Sequence, residues 1–167
     1  MRQPIRQLVG VTSDDRCNLA AVPRRAIAIL ALILLGVVAA SNGKIYAIGG
    51  EYGHDLLHNQ QSLVQAYDPI AKTWSQVSSL PTARSHFESG TFVWDGKIFC
   101  AGGQIADYKS TDEVDMYDPS LNKWTIVGRL PAVLQGPVVQ RVGNEIIVTT
   151  GNKGDLVPLA TTWIGDV

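Results

Sequence analysis

The chain has 167 residues, 46% of them hydrophobic, and carries 14 basic and 15 acidic side chains for a net charge of −1. That length suits one domain with a packed core, and the near-neutral balance argues against a nucleic-acid surface. Two cysteines give no basis for a disulfide framework.

In chain order, the first feature is "AIAILALILLGVVAA", residues 26–40, an uncharged apolar run behind Arg24-Arg25. It is shorter than the ~20 residues a membrane span needs. Basic residues, an apolar stretch and then small residues are the layout of a secretory signal. The expectation is a leader over residues 1–41, cleavage near Ser41, and a secreted or cell-envelope protein. Uncleaved, the run would be the chain's one route to a membrane. The alternative is that Gly36–Ala40 forms a strand. Without residues 1–40 the balance becomes nine basic against thirteen acidic groups, net −4.

From residue 42 the chain repeats itself. "NGKIYAIGG" (42–50) is answered by "DGKIFCAGG" (95–103) and more faintly by "GNEIIVTTG" (143–151). "YDPIAKTW" (67–74) recurs as "YDPSLNKW" (117–124), and Leu80-Pro81 as Leu130-Pro131. Asn42-Gly43, Asp95-Gly96 and Gly143-Asn144 read as two-residue hairpin turns. The apolar runs behind them, such as Ile45–Ile48, do not alternate with polar residues and predict strands buried on both faces. Gly49-Gly50 and Gly102-Gly103 end these strands where backbone passes close to backbone.

Third strands are predicted over Leu63–Tyr67 and Val114–Tyr117. In Tyr-Asp-Pro the Asp can bond the following backbone and the Pro presets φ, so a turn starts there. Trp74 and Trp124 open fourth strands and are expected to fill the space between neighbouring sheets. Four short strands in about 50 residues make one propeller blade. The blades predicted are Gly36–Val77, Phe87–Val127 and Pro137–Gly165, the last without a fourth strand. Propellers close with about four to eight blades, so the expectation is a piece of a longer chain or closure by self-association.

The order of glycine pair, Tyr and Trp (Gly49, Gly50, Tyr67, Trp74; Gly102, Gly103, Tyr117, Trp124) resembles the kelch repeat over residues 42–151. In wording it looks most like kelch modules of secreted bacterial proteins. The resemblance implies an all-β kelch propeller region over 42–167. It further implies ligands on the face that carries the inter-blade loops and the loops between strands two and three.

All three histidines lie in those loops. His54, Asp55 and His58 fall in "EYGHDLLHNQQ" (51–61), and Arg84, His86 and Glu88 in "ARSHFE" (83–88). A four-strand meander brings both stretches to one end of the propeller. Imidazoles with carboxylates suit a polar ligand such as a sugar, or a divalent metal; a solvated loop is the plainer reading. Arg84 can equally bond loop carbonyls, and the corresponding position before the third blade is Leu134.

No catalytic set emerges. Cys100 has no histidine in its strand or turn, adjacent Ser85-His86 do not define a triad, and "GNKGD" (151–155) lacks the rest of a phosphate loop. The expected function is a non-catalytic kelch module binding protein or carbohydrate, as a fragment of a larger secreted protein, without cofactor, metal or nucleic acid. The resemblance also admits part of a kelch-type enzyme, sialic-acid epimerase-like or galactose-oxidase-like, with its remaining blades elsewhere.

Overall fold

The computed structural model describes residues 36–52, 59–106 and 109–166. Three antiparallel sheets follow one another along the chain. The first is β1 (Val37–Ser41), β2 (Lys44–Ile48), β5 (Val64–Asp68) and β6 (Thr73–Gln76), hydrogen-bonded in that order. The second is β7 (Thr91–Trp94), β8 (Lys97–Ala101), β11 (Glu113–Asp118) and β12 (Lys123–Arg129). The third has β13 (Val138–Val142), β14 (Glu145–Thr149) and β15 (Thr162–Asp166). These are the expected blades of an all-β propeller.

Two short ribbons had no clear signal in the polar stretches: β3 (Glu51–Tyr52) with β4 (Asn59–Gln60), and β9 (Gln104–Ala106) with β10 (Lys109–Ser110). The one helical element described is a single 3-10 turn, Glu88–Gly90. Among the described residues, no helix is long and apolar enough to cross a membrane.

The first strand of blade one is Val37–Ser41, within the predicted blade Gly36–Val77. Val37, Ala39 and Ser41 alternate buried with exposed Val38 and Ala40, and the strand pairs along its length with β2. β1 is the inner neighbour of β2, and β2 itself is buried on one face, with Tyr46 and Ile48 inside and Ile45 exposed, so the expectation of burial on both faces fails in this blade. Cleavage near Ser41 would remove β1. The rest of the apolar run, residues 26–35, lies outside the described residues.

The turns behave as their residues dictate. Asn42 and Gly43 (φ 50 and 73) and Asp95 and Gly96 (φ 50 and 69) are left-handed at both centres. In the third turn Gly143 (φ 61) takes that region at the first centre, the geometry of the alternative hairpin turn with glycine first. At the Tyr-Asp-Pro phrases, Asp68 Oδ1 accepts the N–H groups of Ile70 (2.9 Å) and Ala71 (3.0 Å). Asp118 Oδ1 does the same for Ser120 (2.9 Å) and Leu121 (3.3 Å).

One core fills the space between blades one and two, with Tyr46, Ile48 and Val64 meeting Ile98, Cys100, Tyr117 and Trp124. A second lies between blades two and three, around Ala101, Leu130, Leu134, Val139 and Val148. Trp124 is buried and its indole N–H donates to the Ser78 carbonyl (2.8 Å). Trp74 makes the same tilted pair with its tyrosine, 5.1 Å from Tyr67 against 5.0 Å for Tyr117–Trp124. It is only half-buried, however, because it lies on the blade-one face turned away from blade two, with exposed Val38 and Ile45. The expectation that both tryptophans are inter-blade core therefore holds for Trp124, and among the described residues no blade covers Trp74.

Candidate functional site

The segment leaving each β2-type strand and the crossover to the next blade meet at one end of the sheets. Gly50 N–H donates to Arg84 O (2.9 Å), and one blade later Gly103 N–H donates to Leu134 O (2.8 Å). Each crossover then bonds forward. Ser85 and Gln104 exchange main-chain hydrogen bonds (3.0 and 2.8 Å), as do Gln135 and Asn152 (2.7 and 3.0 Å). Gly136 N–H donates to His86 O (2.8 Å), tying one crossover to the next.

The glycine pairs make this stitching sterically feasible. A Cβ at Gly49 would stand 2.7 Å from Arg84 O, and one at Gly102 2.6 Å from Leu134 O. Thr150 holds the corresponding place in blade three at φ 61, and there it is exposed.

Around the stitched backbone sits a polar collar. The Glu51 carboxylate is fully buried. Ser85 Oγ lies 3.5 Å from Glu51 Oε2 and 2.7 Å from His86 Nδ1, and that nitrogen is 3.9 Å from Glu51 Oε2. His86 is held left-handed at φ 56, where the next crossover has Gly136 at φ 62. Such backbone costs a side-chain-bearing residue roughly 1–3 kcal/mol and gathers at functional places. Buried Gln104 Nε2 and Gln135 Oε1 have no hydrogen-bond partner among the described residues.

Arg84, singled out as a ligand residue, is placed otherwise. It is fully buried, and its guanidinium turns into blade two, donating to Gly102 O (3.1 Å), Glu113 Oε2 (3.4 Å) and buried Asp115. Burial pushes the Asp115 carboxyl up, while the Arg84 charge pulls it down and neighbouring Glu113 pushes it up. Arg84 is a clamp between blades, out of reach of a ligand. His86 and Glu88 do lie at the loop end, His86 partly exposed in the collar and Glu88 exposed on the 3-10 turn. His54, Asp55 and His58 lie outside the described residues.

Sequence reasoning passed over Glu51, Ser85, Gln104 and Gln135. The available signal was the polar residue straight after each glycine pair, Glu51 and Gln104, echoed by Asn152 after Gly151.

The collar has little of a catalytic centre. Cys100 is buried in the apolar core, and burial pushes its thiol up to about 12, which removes the thiolate a nucleophile needs. Among the described residues, no three His, Cys, Asp or Glu side chains come together as a metal site.

Repeated four-stranded blades, joined by crossovers stitched at one end, define the class as a β-propeller. The family model for the kelch motif matches residues 36–81 and 87–131, and the chain belongs to the kelch-repeat family. It is 34% identical over 110 residues to the F-box protein AFR of Arabidopsis thaliana, covering 65% of this chain and 27% of that one. Against beta-scruin of Limulus polyphemus the identity is 30% over 116 residues, 66% of this chain and 12% of the other. Kelch-like protein 23 of Homo sapiens is 32% identical over 94 residues, 55% and 15% of the two chains. The solved structure of YjhT superposes with a TM-score of 0.66 over 79% of this chain and 48% of its own; at 17% identity this is a likeness of fold. The chain thus spans 12–27% of the length of these curated relatives.

Proposed function

We propose that this chain is a non-catalytic protein-binding module that meets its partner at the collar of Glu51, Ser85, His86, Gln104 and Gln135. The observation that carries the reading is the pair of buried amide groups left unpaired there, a donor on Gln104 and an acceptor on Gln135. Buried polar groups are nearly always hydrogen-bonded, and a peptide bond brings both the carbonyl and the N–H they lack. The buried Glu51 carboxylate and the strained His86 add charge and shape selectivity beside them. Kelch-like relatives support a module of this kind.

Panning a phage-displayed peptide library against the protein tests this. Selected peptides should bind wild type and lose about tenfold or more in affinity for His86→Gly and Glu51→Gln, as hot-spot groups do. His86→Gly reproduces the backbone of Gly136 and should fold normally, which its melting midpoint checks. Failure to enrich any peptide, or equal binding by both variants, contradicts the proposal.

A further inference from the structure

The wall that blade one turns to blade two is not filled along its whole length. Tyr46 stands on β2, with Ala66 opposite it on β5 and Ser75 next on β6, in one row across the sheet. The repeat has Phe99 and Met116 where blade one has Tyr46 and Ala66. Blade one therefore carries a hydroxyl and a gap where blade two carries hydrocarbon. A cleft of about 300 Å³ lies here, closed on the far side by Tyr117, Pro119 and Asn122 of blade two. That is the small end of the size range of ligand pockets. Both walls belong to four-stranded blades, and Asn42 at its rim places the cleft at the hairpin-turn end, away from the collar.

Tyr46 is 3% exposed, yet its hydroxyl has no hydrogen-bond partner among the described residues. Buried hydroxyls are nearly always bonded, so this phenol is placed to meet a group from outside the chain. Its neighbours are partly engaged. Tyr117 donates to Asn122 Oδ1 (2.8 Å), which also accepts the Ser78 N–H (2.8 Å). Asn122 keeps its NH2 as a donor and Tyr117 keeps its lone pairs. Ser120 Oγ donates to Asp118 Oδ1 (2.6 Å) and can still accept.

The wall is also electrically balanced. Lys44, the cation lining the cleft, has its ammonium 3.6 Å from Asp68 Oδ2. Burial pushes the Tyr46 phenol up, and burial, Tyr46 and Asp118 push Tyr117 up to about 12, so both phenols stay protonated and neutral. An anion would want donors alone and a surplus of positive charge. An alcohol both donates and accepts and carries no charge.

We propose that this cleft binds a neutral, hydroxyl-rich molecule of monosaccharide size. The Tyr46 hydroxyl and the Asn122 NH2 are its principal polar contacts, and its C–H face lies against Ala66, Val77 and Pro119.

The probes are methyl glucoside, methyl galactoside and methyl mannoside, titrated into the whole chain and followed by saturation-transfer NMR. At least one should bind saturably, with a Kd of about 1 mM, as suits a ligand of roughly a dozen heavy atoms. Tyr46→Phe removes the hydroxyl alone and installs the residue that blade two already has. Its melting midpoint should be no lower than wild type, and the glycoside should bind about fivefold or more weakly. Ala66→Met, again the residue of blade two, should close the cleft and abolish binding. If Ala66→Met does not fold, Tyr46→Phe alone decides. No saturable binding of any of the three, or equal binding by Tyr46→Phe, overturns the proposal. So does loss of binding in His86→Gly, which would move the site to the collar. Displacement of the glycoside by sodium acetate would make the cleft an anion site and overturn it as well.

Discussion

Arg84 and Asp115 form a buried ion pair between blades one and two. At the next interface the matching positions are Leu134 and Trp163, both in the second apolar cluster. One repeat therefore solves the same packing problem once with charge and once with hydrocarbon. Removing one member of a buried pair is costly, whereas replacing both by apolar residues is often neutral or better. Arg84→Leu should cost about 3–5 kcal/mol in chemical denaturation, and Arg84→Leu with Asp115→Leu should recover most of that. The single variant should also be less destabilised at mildly acid pH, because the stranded Asp115 carboxyl, already pushed up by burial, then takes a proton. A double variant as unstable as the single one would show that the pair matters for something other than charge compensation. Arg84 was visible in the sequence, but its role was not. Its partner lies 31 residues away on another blade, and no local signal joins the two.

At the scale of elements, most of the architecture was legible, because two-residue turns, Tyr-Asp-Pro phrases and Leu-Pro stops each have a local cause. β1 was harder: an apolar run ending in small residues reads as a signal segment before it reads as an inner strand, and the pairing with β2 bears on its last residues, Val37–Ser41, alone. The two tryptophans look identical in the repeat and differ in burial because their neighbours differ, which a single copy of the motif cannot show. Glu51 and Gln104 were missed because a polar residue after a glycine pair reads as loop until neighbouring crossovers close over it. The Tyr-Asp-Pro turns carry a pH dependence of definite sign. Backbone N–H groups of Ala71 and Ile70 hold Asp68 below its ordinary value, and the Ser120 hydroxyl and nearby backbone hold Asp118 below its own. An acid with a lowered folded pKa stabilises above its unfolded pKa, and that stabilisation is lost as the pH falls through about 4 and below. Asp68→Asn with Asp118→Asn keeps an acceptor oxygen at each turn without the titration. The drop in melting midpoint between pH 7 and pH 3 should be smaller in this double variant than in wild type, and an unchanged drop would place the acid sensitivity elsewhere.

For the whole molecule, the two ends of the sheets differ in what they offer. The hairpin-turn end is tied by local turn bonds and by links such as Ser41 Oγ to Gly96 O at 2.7 Å. The loop end joins neighbouring blades through main-chain bonds and, among the described residues, leaves Gln104 Nε2 and Gln135 Oε1 without a hydrogen-bond partner. Binding at the loop end is the central claim, and amide hydrogen exchange with and without a peptide selected by panning tests it most directly. The account predicts added protection at Glu51, Ser85, His86, Gln104 and Gln135, with the turns at Asn42-Gly43 and Asp95-Gly96 unchanged. Protection confined to those turns, with the collar exchanging as before, would contradict it.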